Sequence, residues 1–335
     1  MKKAIILFNL GGPDNLDAVE PFLFNLFNDK NIITVPNPLR YFLAKLISRN
    51  RAPTAKEIYK QIGNKSPIFE ETEKQAIALE YALNNDATPI NSPPEPITYK
   101  VFIAMRYWKP FAAETVEKVK AFAPDEIVLL PLYPQFSTTT SKSSMDDWIK
   151  VAEEQGLNVA TKTICGYHNH PDFILAHAEQ IKPYYHAAIK SGKTRVLFSA
   201  HGLPEKIIKK GDPYQRQVEE TVANIVKELA IENLDYKICY QSRVGPLKWI
   251  GPSTEDEIKH AGSNALNLLV VPVAFVSEHS ETLVELDIEY AHLAKEHGVK
   301  NYLRVPALGD DKNFIKTLVA VCGNPDSFIC NCYEI

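Results

Sequence analysis

Short apolar runs alternate with amphipathic helical patterns along almost the whole chain, and this alternation limits the fold more than any other feature. Strand-like runs lie near 4–9, 100–105, 126–132, 159–164, 195–200, 236–241, 266–275 and 302–306. Helical periodicity fills intervals such as 68–84, 111–122, 172–190, 213–230, 281–297 and 311–321. Strands that alternate with helices build parallel sheets with helices on their faces. The predicted class is therefore α/β. The Pro- and Asn-rich stretch from Asn84 to Thr98 fits a surface loop.

A length of 335 residues suggests about two domains. An internal repeat points the same way. Ile6 to Pro13 resembles Val196 to Pro204, Ala104-Met105-Arg106 echoes Gln241-Ser242-Arg243, and Leu129-Leu130-Pro131-Leu132 echoes Val270-Val271-Pro272-Val273. The three pairs keep the same order in both halves. Expected boundaries are 1–165 for an N-terminal domain, 166–310 for a similar C-terminal domain and 311–335 for a helix with a cysteine-containing tail. An active-site cleft is expected between the domains. His201 has Leu10 or Gly11 as its counterpart, so the second domain is the expected reactive wall.

Composition excludes several classes. Apolar content of 45% and charged content of 23% are those of a soluble globular protein. A net charge of -4 and the lack of a long basic run argue against nucleic acid. No stretch approaches the roughly 18 apolar residues that cross a bilayer. Ala4 to Phe8 is too short for a signal-peptide core and reads as a first strand. Five cysteines do not suggest a secreted disulfide framework. A cytoplasmic protein is expected. A GxGxxG fingerprint and a Walker loop are both missing, which disfavours a nicotinamide-dependent dehydrogenase.

Two segments carry titratable groups where an apolar run stops, which is where open α/β sheets bind ligands. The first ends in Ser199-Ala200-His201-Gly202. Imidazole titrates near neutral pH, so His201 suits proton transfer or metal ligation, with a buried, backbone-satisfied histidine as the plain alternative. The second runs from Val270 to Glu289 and holds Glu278, His279, Glu281, Glu285 and Glu289. The last three acids are spaced i, i+4, i+8 and share a helix face. A solvated face is the plain alternative. Leu283, Val284, Leu286, Ile288 and Tyr290 make the helix largely apolar, and buried like-charged carboxylates are usually functional.

Other features leave alternatives open. The hydroxyl-rich loop Tyr133 to Ser144 suits either an anion site or a helix cap. The segment from Pro36 to Ile47 interleaves apolar and basic residues. It suits a buried helix, an apolar lip over a flat ligand, or a surface that touches a membrane. Cys165, Cys322, Cys330 and Cys332 suit four thiolates around a cluster or zinc, or else reduced cysteines in a frayed tail. Cys165, His168 and His170 form a looser potential metal group.

Taken in order, these residues resemble the ferrochelatases, which insert ferrous iron into a porphyrin. The resemblance spans nearly the whole chain. It includes Asn9 to Pro13, Tyr59 to Gly63, Ser66-Pro67-Ile68, Arg106-Tyr107 and Tyr133-Pro134-Gln135. It continues through Ser199-Ala200-His201, Gly211 to Tyr214, Gln241 to Pro246, Trp249, Gly251-Pro252 and Phe275 to Glu289.

The resemblance implies two Rossmann-like domains and a lyase that makes protohaem from protoporphyrin IX and Fe²⁺, the last step of haem biosynthesis. It implies His201 and Glu281 as the catalytic and metal-contacting pair, and Glu285 and Glu289 as the acid ladder. It places Tyr59, Arg106, Tyr107 and Trp249 along the porphyrin and Arg51 near its mouth. The family usually has Asp where this chain has Glu278. No cofactor is required for the reaction. Some members carry a [2Fe–2S] cluster on one internal and three C-terminal cysteines. Cys165, Cys322, Cys330 and Cys332 match that pattern, although Thr138 stands where animal-type members have the internal ligand. Peripheral membrane contact stays open from the Pro36 to Ile47 segment alone. Rival expectations are a coproporphyrin or other tetrapyrrole chelatase, and a non-catalytic haem or metal carrier.

Overall fold

A computed structural model describes residues 1–85, 96–243, 245 and 247–328. The middle of the Pro- and Asn-rich stretch, Val244, Pro246 and the tail with Cys330 and Cys332 lie outside the described residues. By contacts the chain divides into two compact units. One holds Met1–Gly166 with the described residues Leu318 to Phe328, and the other holds Tyr167–Thr317.

The first unit contains strands β1 (Lys2–Asn9), β2 (Thr98–Met105), β3 (Glu126–Pro131) and β4 (Ala160–Thr163). All pair in parallel, in the order β2-β1-β3-β4. The second contains β5 (Thr194–His201), β6 (Tyr236–Gln241), β7 (Asn267–Pro272) and β8 (Tyr302–Arg304). These pair in parallel in the order β6-β5-β7-β8. The two orders are the same once the strands are numbered within each unit, so the faint sequence repeat is a repeat of topology. Ile6 pairs with Phe102 and Leu129, and Phe198 with Ile238 and Val271, so the repeated segments occupy matching strands.

Burial explains the apolar runs. Ala4 to Phe8 and Val196 to Ala200 are buried along their whole length, because helices cover both faces of a parallel sheet. In the first unit Ile6, Phe8 and Leu129 pack with Val116 and Trp148. In the second Leu197 and Val270 pack with Ile258, Leu286 and Tyr290.

Local signals start the helices. Ser253 Oγ accepts from the Asp256 N–H at 3.1 Å and caps Thr254–Ser263. His170 Nδ1 accepts from the Asp172 N–H at 3.2 Å, with Pro171 as the first residue of Pro171–Ile189. His168 Nε2 lies 2.8 Å from Glu220. These two histidines are thus occupied in helix capping and pairing.

From Leu39 onward, the segment from Pro36 to Ile47 lies in a long helix, Leu39–Lys60. Ala44, Ser48 and Ala52 face inward, while Leu39 (55%), Phe42 (62%) and Leu46 (58%) are exposed. It is not a buried helix.

Candidate active site

In the second unit β5 lies between β6 and β7, so the chain leaves it in opposite directions and a crevice opens beyond the strand ends. Three segments meet there. His201 ends β5, Gln241 ends β6, and the chain beyond β7 reaches His279 and Glu281.

Gly202 lets this happen. A Cβ at that position would lie 2.9 Å from the Gln241 carbonyl oxygen and 3.3 Å from the Trp249 ring. Only a residue without a side chain lets β5 turn away this close to β6. Trp249 is half-buried and forms an isolated bridge with Pro204, so it sits beside the histidine turn.

Glu281 opens a π-helix, Glu281–Glu289. The expected helix therefore has a wider i→i+5 turn in its first part, which is frequent at functional sites. Residues four apart still fall close to one face, so the spacing of the acids survives the change. Thr282, Val284, Leu286 and Tyr290 are buried, Glu281 and Glu285 are half-buried, and Ile288 and Glu289 are exposed.

His201 Nδ1 lies 2.9 Å from Glu281 Oε2, and His279 Nε2 lies 3.8 Å from the same oxygen. Among the described residues His201 Nε2 has no hydrogen-bond partner. The histidine side chain is 36% exposed, so that nitrogen is reachable. Burial opposes charge on the imidazole, but the charge and hydrogen bond of Glu281, with Glu285 behind it, outweigh this and raise the pKa above 6.5. Burial would lift Glu281, yet His201 and His279 hold it well below the carboxylate range. Burial and the Glu281 charge push Glu285 upward, against the hydrogen bonds from Ser242, Gln241 and Tyr290. Neighbouring acids are thus driven apart, the usual mark of assigned proton roles.

Glu278 and Glu289 do not join this group. Glu278 Oε1 accepts from Arg304 at 2.6 Å and from the Ala307 N–H at 2.9 Å, so the acid beside His279 anchors β8. Glu289 sits at the exposed far end of the π-helix.

In the first unit Arg106 and Tyr107 follow β2. The Tyr107 hydroxyl donates to Asp29 Oδ2 at 2.9 Å, and Arg106 donates to the same oxygen at 3.0 Å and to Ser143 Oγ at 2.8 Å. Ser143 Oγ also donates to Asp29. One hydroxyl of the loop, that of Ser143, therefore meets an acid, and the acid is the chain's own Asp29. Arg106 lines a cavity of about 300 Å³ with Asn25, Asn28, Phe111 and Asp147. Tyr107 and Tyr59 are buried, whereas Arg51 is exposed with its guanidinium 5.9 Å from the Phe27 ring. Sequence reasoning missed Asp29, Ser242 and Tyr290 as members of either site. Each is polar, but only a partner distant in sequence, or across a π turn, reveals its use.

A family model described as ferrochelatase matches residues 2–324. The chain belongs to the ferrochelatase family. A ferrochelatase from Wolbachia sp. subsp. Drosophila simulans (strain wRi) is 56% identical over 97% of this chain and 99% of its own length. One from Pelagibacter ubique is 56% identical over 95% of this chain and 90% of its own. Membership makes this chain a metal chelatase, a lyase whose substrates are a porphyrin and ferrous iron. Among solved structures, SirB from Bacillus subtilis with Fe³⁺ matches 98% of both chains with a TM-score of 0.55 at 11% identity. The sirohydrochlorin chelatase SirB from B. subtilis subspecies spizizenii, in complex with cobalt, matches equally with a TM-score of 0.55. At that identity the likeness concerns the fold, two parallel sheets flanked by helices.

Proposed function

We propose that His201 and Glu281 form the pair at which protoporphyrin IX exchanges its two inner protons for Fe²⁺, giving protohaem. The observation that carries this is the 2.9 Å contact between His201 Nδ1 and Glu281 Oε2 at the strand ends. Free-base porphyrin must lose two N–H protons before the metal is seated. The imidazole presents Nε2 as acceptor for one proton at a time, handing the first to solvent before it takes the second, and the anionic carboxylate behind Nδ1 stabilises the imidazolium that forms each time. Imidazole with carboxylate also suits Fe²⁺ better than Ca²⁺ or Mg²⁺. Trp249 beside the turn offers a flat apolar face to the macrocycle.

Anaerobic assays with protoporphyrin and coproporphyrin test this, using wild type, His201→Ala and Glu281→Gln. Turnover by wild type with protoporphyrin, lost in both variants while porphyrin binding persists, is expected. Full turnover in His201→Ala would remove the pair from the chemistry, and a preference for coproporphyrin would change the named substrate.

The cysteines support a [2Fe–2S] centre on Cys165, Cys322, Cys330 and Cys332. Cys165 and Cys322 are buried in the first unit, and the Cys165 N–H donates to the Phe328 carbonyl at 3.1 Å. That bond places Phe328, two residues before Cys330 in the sequence, beside Cys165. Burial pushes the Cys322 thiol up to about 12, so it keeps its proton unless a bound metal displaces that proton to solvent. Protein purified without oxygen is expected to be coloured and to hold about two irons per chain. Folded, colourless, iron-free protein would rule the centre out.

The exposed face of Leu39, Phe42 and Leu46, with exposed Lys45 and Arg49 around it, supports peripheral contact with a lipid surface. Among the described residues no helix is long and apolar enough to cross a membrane.

A further inference from the structure

Glu285 differs from Glu281 in how its oxygens are used. Its Oε1 accepts from the Ser242 N–H at 2.8 Å and from the Tyr290 hydroxyl at 2.9 Å. Its Oε2 accepts from the Ser242 hydroxyl at 2.5 Å and from Gln241 Nε2 at 3.0 Å. A carboxylate offers about four lone-pair sites, and all are taken here. Glu281 contrasts with this. Among the described residues its Oε1 accepts no hydrogen bond, and its Oε2 meets His201 and, at 3.4 Å, the Ser242 hydroxyl.

The donors to Glu285 are built for the purpose. Ser242 holds a φ of +61°, in the left-handed region that non-glycine residues seldom occupy. That conformation accompanies the delivery of both its N–H and its hydroxyl to one carboxylate, and such strain persists only where surroundings enforce it. Gln241 uses one amide nitrogen twice, donating to Glu285 Oε2 and to the Glu281 main-chain carbonyl at 3.1 Å. Tyr290 is buried in the core against Leu286, so its hydroxyl is fixed by packing.

We infer that Tyr290 and Ser242 are positioning residues that hold Glu285 as a saturated anchor for Glu281, and that Glu285 so held is not a ligand on the iron path. To bind Fe²⁺ it would have to release a donor, leaving a half-buried amide, hydroxyl or N–H unpaired. Its work is to fix the Gln241–Ser242 turn against the first turn of the π-helix, which sets where the Glu281 carboxylate meets His201. The inference rests on the His201–Glu281 pair proposed above and gives the second acid of the ladder a different task from the first.

The test measures insertion of Fe²⁺ and Zn²⁺ into protoporphyrin by wild type, Tyr290→Phe, Ser242→Gly and Glu285→Gln, with His201→Ala alongside. Tyr290→Phe keeps the core ring, and Ser242→Gly keeps the N–H and accepts the left-handed backbone. Each removes one donor, so the test survives even if Glu285→Gln does not fold. An anchor role predicts that kcat falls about tenfold in both donor variants, on the scale of one hydrogen bond to a charged group. KM for either metal stays unchanged, and the Fe²⁺ to Zn²⁺ rate ratio is preserved. A raised KM for Fe²⁺ or an altered metal ratio in these variants would make Glu285 a ligand and overturn the inference. Wild-type rates in both donor variants would overturn it as well. Retained turnover in His201→Ala would instead refute the pair itself, which separates the two failures.

Discussion

Arg304 and Asp287 are joined by two parallel hydrogen bonds, from Nε to Oδ1 at 2.7 Å and from Nη2 to Oδ2. The same guanidinium reaches Glu278 through Nη1 at 2.6 Å. Glu278 precedes the π-helix and Asp287 lies within it, so one side chain on β8 clasps the segment from both ends. Planar bidentate geometry makes arginine, not lysine, the residue for this task.

Removing that clasp is expected to unsettle the whole segment. Arg304→Met would leave Glu278, itself largely buried, without its cation. Unpairing a buried charge destabilises by about 3 kcal/mol. Urea denaturation would show it as a lower midpoint. Amide exchange is expected to speed up in residues 278–289, and unchanged protection there would mean that the clasp does not hold the π-helix.

Stability should depend on pH through His201 and Glu281. The folded pKa of His201 is raised above 6.5, so its contribution is full below 6.5 and is lost as pH rises through the folded value. The folded pKa of Glu281 is depressed below 4.5, so its contribution is present above 4.5 and is lost as pH falls through the folded value. Both partners are charged between 4.5 and 6.5. The gap in denaturation midpoint between wild type and Glu281→Gln is therefore expected to be widest in that interval and to narrow at alkaline pH. A gap that stays constant into alkaline pH would show that His201 does not titrate with its partner.

Gly202→Ala is expected to lower both stability and turnover. The added methyl meets the Gln241 carbonyl oxygen at 2.9 Å and the Trp249 ring at 3.3 Å, so the strand ends must separate. Overpacking of this kind destabilises by about 1–3 kcal/mol. Turnover should fall further than the folded fraction, because the separated groups include the turn that bears His201. Porphyrin titration and kinetics on the same sample would tell these apart.

Asp29→Ala is expected to loosen the first unit. The Arg106 guanidinium, the Tyr107 hydroxyl and the Ser143 hydroxyl would each lose an acceptor, and Tyr107 is fully buried. About 3 kcal/mol is the scale for leaving such groups unpaired. Asp29→Asn, which keeps one oxygen, should lose less. Equal losses in the two variants would mean that packing, and not the hydrogen bonds, sets the effect.

Replacing Phe42 and Leu46 with Glu leaves the buried face of their helix untouched. Co-sedimentation with anionic vesicles is expected to fall in this variant while thermal stability is retained. Equal sedimentation of wild type and variant would remove the lipid contact.

The eight strands, the parallel class, the ordered repeat of motifs in the two halves, and His201 and the row of acids as separate candidates were legible in the chain alone, whereas the joining of His201 with Glu281 as a pair came from the family resemblance. The features legible in the chain alone follow from local regularities, namely apolar runs, helix spacing and titratable groups at strand ends, that depend little on distant residues. Even the acid spacing was legible without the helix type, because four residues nearly complete a turn in both α and π geometry. Tertiary structure decided the rest. It made Arg304 the partner of Glu278, set the Ser143 hydroxyl on Asp29, and placed four donors on Glu285. Those outcomes depend on which polar groups lose water together, and that is fixed only when strands and helices far apart in the chain are packed side by side.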